Sequence, residues 1–175
     1  MKKMLTSVSI LLMILIILTG CNENRDYNTE GPFITVTSRI AGPDEYRNFY
    51  PVKYDVYENG DLMLRTEQTD DIKIGEDAPV YETSVSEEEV EEIKSLVEDH
   101  FWQLPEDISD GDSVDGGFYN VEVHLTDFTT SVGGLNPNEA GFIEIVDYVF
   151  NLVDNENRAL WEEELREHIY QMNPE

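Results

Sequence analysis

The stretch "PVKYDVYENGDLMLRTE", residues 51–67, constrains the fold more than any other part of the chain. Val52, Tyr54 and Val56 alternate with Lys53, Asp55 and Tyr57; beyond a break, Leu62 and Leu64 alternate with Met63 and Arg65. A period of two is the mark of strands that turn successive side chains to opposite faces of a sheet. Asn59-Gly60 occupies the break, and both residues tolerate the positive φ of a two-residue type I′ turn. The sequence therefore predicts an antiparallel hairpin here.

The rest of the chain extends this start. "FITVTSRI" sets Ile34, Val36 and Ser38 against Thr35, Thr37 and Arg39, and either set could face a core. "DIKI" and "PVYETSV" are weaker strand candidates, the second opening on Pro79, which suits a strand start or edge. A helix follows with full punctuation: Ser86 and Glu89 make a capping box, and Val85 and Val90 a hydrophobic staple. Glu87 and Glu88 complement the positive end of its dipole. Val90, Ile93, Val97, Phe101 and Leu104 keep a helical period up to Pro105. "FYNVEVHL" and "FTTSV" read as a further strand pair. A second helix is expected to open at Asn136 with Pro137 in its first position, carrying Phe142, Val146, Val149 and Val153 inward. Residues 157–171 give a third helical stripe through Trp161, Leu165 and Ile169, with Met172 just beyond. The expectation is an α+β domain over residues 33–175, an antiparallel sheet of about five strands with two or three helices packed on one face.

The N-terminus belongs to a different kind of segment. Lys2 and Lys3 precede an almost wholly apolar run from Leu5 to Leu18, about 14 residues and short of the roughly 20 that span a bilayer. A short apolar run followed by small residues reads as a cleaved export signal, residues 1–20. Its ending, Leu18-Thr19-Gly20-Cys21, resembles the lipobox of bacterial lipoproteins. That resemblance implies cleavage before Cys21, a diacylglycerol thioether on its sulfur, and a place on the extracytoplasmic face of the cell membrane. Cys21 is the single cysteine of the chain, so no disulfide forms within one molecule. Residues 22–32 are polar and without hydrophobic period, and read as a flexible tether. The order of elements is also similar to that of small bacterial envelope lipoproteins, a likeness that implies no activity.

Charge excludes two classes of partner. The 38 acidic residues face 11 basic ones, a formal charge of −27, and losing Lys2 and Lys3 with the signal takes it to −29. Nucleic-acid binding needs clustered Lys and Arg, and so does attraction to anionic lipid. The body of the protein is expected to stand off its own membrane.

Few residues suggest chemistry. Asp107, Asp110, Asp112 and Asp115 crowd the bend "SDGDSVDGG", but no register meets the EF-hand pattern. Counting from Asp110, position 5 is Val114 and position 12 is Val121; counting from Asp107, position 5 is Gly111. These four are weak candidates for a metal, and a solvated connector is the preferred reading. His100, His124 and His168 stand alone in sequence, without the spacing that sets two imidazoles on one ion. No nucleophile elbow appears. "VGGLNP", ahead of a helix, lacks the lysine and spacing of a P-loop. Tyr46, Tyr50, Tyr54 and Tyr57 cluster around the first hairpin and are candidates for a contact surface. No cofactor is expected. The sequence points to a lipid-anchored, non-catalytic binding module with an envelope protein or glycan as partner. The alternatives are a hydrolase or metal-dependent enzyme using converged carboxylates and histidines, or a passive acidic, cation-buffering surface.

Overall fold

The computed structural model describes residues 25–41, 50–69, 72–111 and 116–172. Cys21, Tyr46, Asp112 and Asp115 lie outside the described residues. The architecture is α+β. Six strands, β1 (Pro32–Ala41), β2 (Val52–Tyr57), β3 (Asp61–Thr66), β4 (Tyr81–Ser84), β5 (Gly116–His124) and β6 (Thr129–Leu135), form one antiparallel sheet in the order β4-β3-β2-β1-β5-β6. Three helices pack with it: α1 (Glu87–His100), α2 (Ala140–Asn151) and α3 (Asn155–Met172).

Cross-strand register sorts the two faces. Ile34 lies opposite Val56 and Val123, and Val36 opposite Tyr54 and Val121. Leu62, Leu64 and Val132 continue the same face. These side chains are buried together with Val90, Ile93, Val97 and Phe101 of the first helical stretch, Phe142, Ile145, Val146 and Val149 of α2, and Trp161 and Leu165 of α3. Each helix thus seats its apolar stripe on this face, and burial of that stripe, more than helix propensity, holds it there.

The hairpin forms in the expected place with a different turn. The Gly60 amide donates to the Tyr57 carbonyl at 3.0 Å, and Gly60 alone of the three loop residues has positive φ, +87°. This is a three-residue loop, a type I turn closed by a left-handed glycine, and not type I′. The reason is tertiary. The Val85 amide donates to the Gly60 carbonyl at 2.8 Å, and a Cβ on Gly60 would stand 2.6 Å from the Val85 oxygen. The turn is shaped to receive the chain as it enters α1.

The second helix also starts later than expected. Asn136 has φ +48° and remains paired with β5: its amide donates to the Gly117 carbonyl at 2.7 Å, and its Oδ1 accepts from the Gly117 amide at 2.9 Å. Asn136 therefore closes a strand rather than opening a helix, and α2 begins at Ala140. α3 has a cap that the sequence reading missed. Asp154 Oδ1 accepts from the amides of Glu156 at 3.0 Å and Asn157 at 2.9 Å. "DIKI" is not a strand over its described residues, although Ile72 and Ile74 are buried.

Ser86 and Glu89 form the expected capping box: the Glu89 amide donates to Ser86 Oγ at 3.3 Å, and the Ser86 amide to Glu89 Oε2 at 2.7 Å. Ser86→Ala removes one acceptor for a helix N-terminal amide and should cost about 1 kcal/mol. The check is a lowered midpoint in chemical denaturation; an unchanged midpoint would remove the box from the account.

Candidate functional site

The face of the sheet turned away from the helices carries the most organised polar chemistry among the described residues. Lys53 and Asp55 of β2, Thr35 and Thr37 of β1, Arg65 of β3, Glu122 and His124 of β5 and Thr129 of β6 share it by register. Asp55 and Thr35 are each only 1% exposed. A carboxylate this far from water must find charge and hydrogen bonds within the protein, and both are supplied by neighbouring strands.

The Arg65 guanidinium grips Asp55 with two donors, Nε to Oδ2 and Nη2 to Oδ1, the latter at 3.3 Å. Such a fork is the strongest arrangement of this ion pair. Burial works against the Arg65 charge, but the Asp55 hydrogen bond and charge outweigh it and hold the guanidinium pKa above its ordinary value. Thr35 Oγ1 donates to Asp55 Oδ1 at 2.7 Å and lies 3.1 Å from His124 Nε2. Across the next strand boundary, His124 Nδ1 lies 3.0 Å from Thr129 Oγ1.

Proton counting fixes the direction of this chain. A threonine hydroxyl has one proton, and Thr35 gives its proton to Asp55. Thr35 must then accept from His124, which puts the imidazole proton on Nε2. Burial, which lowers the His124 pKa, favours the neutral ring, and in that form Nδ1 is an acceptor for the Thr129 hydroxyl. Thr129, His124, Thr35, Asp55 and Arg65 thus form one satisfied row across β6, β5, β1, β2 and β3, with the histidine neutral. Burial lowers the His124 pKa; Glu122 and Asp55 pull it up, while Lys53 and Arg65 reinforce the lowering. Beside this row, Lys53 Nζ pairs with Glu67 at 2.5 Å.

The row is not arranged for nucleophilic catalysis. The Thr35 hydroxyl is buried, and it donates to the carboxylate instead of to the imidazole. A nucleophile needs the reverse, its proton aimed at the base.

The other candidates fall elsewhere. His100 Nε2 approaches Glu144 at 3.3 Å, and His168 Nε2 approaches the Ile74 carbonyl at 2.6 Å, so the three histidines do not converge. No group of three His, Cys, Asp or Glu able to hold a metal occurs among the described residues. Asp107 accepts from the Ser109 amide at 2.9 Å, and bonding from Ser109 lowers its pKa. The stretch around it is not a bare connector. Ile108 donates to the Gly133 carbonyl at 3.0 Å, Gly133 to the Glu106 carbonyl at 3.1 Å, and the Asp110 amide to the Leu135 carbonyl at 2.8 Å. Residues 106–110 therefore run beside β6 and cover the sheet edge, which would otherwise be open to pairing with another chain. Of the two glycines of "VGGLNP", Gly134 serves this contact, because a Cβ there would stand 2.5 Å from the Ser109 amide nitrogen; a Cβ on Gly133 would instead stand 2.7 Å from the Tyr119 carbonyl of β5.

The described tyrosines do not share one surface. Tyr54 is in the core, 3% exposed, with its ring 4.7 Å from that of Phe150. Tyr57 is half-buried and stands with Asp55 and Arg65 on the opposite face, whereas half-buried Tyr50 lies near Arg166 and Tyr170 of α3. No family model and no curated protein matches the chain.

The row predicts a pH dependence. His124 has a folded-state pKa below its unfolded value of about 6.5, so the unfolded chain takes up the proton first and gains from it. Its contribution is intact above that value and is lost as pH falls through it. Between about pH 7.5 and 5.5, the wild type should lose more stability than His124→Gln, read by urea midpoints. Parallel losses in the two proteins would contradict the neutral, desolvated imidazole.

Proposed function

We propose that the protein is a lipid-anchored binding module of the bacterial envelope that works without catalysis. The observation carrying this reading is the polar face turned away from the helices. Its centre is fixed by the Asp55–Arg65 fork and the His124 row, and its margins bear exposed side chains such as Glu82 of β4 and Ser131 of β6. A rigid platform with a prearranged charge pattern suits recognition, because little side-chain freedom remains to be lost when a partner arrives. The formal charge of −29 on the chain from Cys21 onward favours cationic or hydroxyl-rich partners, such as a basic segment of an envelope protein or a glycan.

Anchorage rests on the lipobox at Cys21. No helix among the described residues is long and apolar enough to cross a membrane. In this reading the acyl chains on Cys21 provide the attachment, and two such chains hold stably where one is marginal.

Both parts can be tested in cells. Mass spectrometry should find diacylglycerol on Cys21, and Cys21→Ser should abolish it and leave the protein unanchored or unprocessed. Photo-crosslinking groups at Glu82 and Ser131 should capture one and the same envelope partner, while a group at the exposed Glu163 of α3 should not. Equal capture from all three positions, or an intact unmodified Cys21 in the mature protein, would contradict the proposal.

A further inference from the structure

We infer that the domain is held against the lipid surface by one defined end: the start of β1, the Glu58–Gly60 turn and the turn between β5 and β6. The inference rests on the anchored reading of Cys21, but it comes from where the chain first becomes fixed to the fold. The composition of residues 22–32 predicts a tether, but the structure fastens residues 25–28 of it to the domain. The Arg25 guanidinium lies 4.1 Å above the Trp102 ring and pairs with Glu98. Tyr27 donates to Glu98 Oε1 at 2.9 Å, meets Phe33 edge-on at 5.6 Å, and bridges to Leu125. The Asn28 amide donates to the His124 carbonyl at 3.0 Å, and the Thr126 amide to the Asp26 carbonyl at 2.9 Å. Desolvation and the neighbouring Glu98 push the Tyr27 hydroxyl well above its ordinary pKa, so it stays a donor.

Cys21 precedes Arg25 by four residues, a contour of at most about 14 Å. The Arg25 backbone must therefore lie within about that distance of the Cys21 backbone, and the Trp102 ring lies 4.1 Å from the end of the Arg25 side chain. The ten residues of β1 then carry the fold roughly 30 Å outward. Ala41, its neighbour Gly116 at the start of β5 and Val52 at the start of β2 mark the outer end. Residues 106–110, beside β6 as it ends at Leu135, stand outward too. The nearness is imposed by the short linkage and not by charge: Asp26, Glu30 and Asp127 at the inner end are acidic and repel anionic lipid. Phe128, 55% exposed in the β5–β6 turn, is the large apolar side chain that this placement turns toward the headgroups.

The two tryptophans make the inference measurable. Trp102 lies under Arg25 at the inner end. Trp161 sits on α3, donating to the Pro79 carbonyl at 3.0 Å, on the helix whose later residue Arg166 reaches Tyr50 beside the outer start of β2. The lipidated full-length protein would be reconstituted in phosphatidylcholine vesicles containing a dansyl-headgroup lipid as energy acceptor. Donor emission should fall further in Trp161→Phe, where Trp102 reports, than in Trp102→Phe, where Trp161 reports. A flexible insert of about ten Gly/Ser residues between Asn24 and Arg25 lengthens the reach to a few tens of Å. In the protein with both tryptophans intact, that insert should relieve the quenching. Vesicle-bound protein with equal or greater quenching from Trp161, or quenching indifferent to the insert, would overturn the orientation while leaving the anchor standing. Protein that fails to float with the vesicles would overturn the anchor, and the orientation with it.

Discussion

A buried carboxylate in the middle of a sheet sets the terms for everything around it. Asp55 is 1% exposed on the face turned away from the described helices, and an isolated charge there would be far too costly to keep. It persists because Arg65 from one neighbouring strand and Thr35 from the other reach it with the right donors. Those contacts require β1, β2 and β3 to hold one register. A slip of one residue would carry Asp55 to the helix side, among Val56, Leu64 and the other core side chains. Two constraints therefore agree: apolar burial on one face and a single polar arrangement on the other. Such a pair adds little net stability compared with well-packed apolar residues, but breaking it on one side is strongly unfavourable. In this fold the pair acts chiefly as a lock on register.

The same lock gives the binding reading its physical content. His124 and Thr129 extend the row from Asp55 to β6, and Lys53 with Glu67 flanks it. In the proposed binding reading, a prearranged polar platform suits recognition, and the Thr35 proton is already committed to Asp55. The proposed anchorage at Cys21, through its short linkage to Arg25, would add a direction to the platform, one end toward lipid and the other outward.

What could be read from the sequence was what repeats locally. The 52–65 hairpin, the Ser86 capping box and the three helical stripes each depend on residues a few positions apart, and each stands in the structure. What escaped depends on strands meeting. Nothing near Thr35 announces that it will touch residues 55 and 124, and Asp55 is one of 38 acidic residues. Asn136 departs from the expectation because Pro137 is a fair sign of a helix start, while the bond that ties Asn136 to Gly117 of β5 spans 19 residues. Glu106–Asp110 looked like an acidic turn because its pairing uses backbone groups, which leave no trace in residue type. Tyr54 stood among the candidates for a contact surface, although its own alternation with Val52 and Val56 already placed it on the apolar face.

The most direct measurement of the central claim is a double-mutant cycle on Asp55 and Arg65. Stability would be read by urea denaturation for Asp55→Leu, Arg65→Leu and the combined protein. If Asp55 is an ionised, buried partner of Arg65, then Arg65→Leu alone strands that charge. It should be less stable than the double variant, with a coupling of about 2–3 kcal/mol. Losses that simply add, leaving the double variant the least stable of the three, would contradict the account.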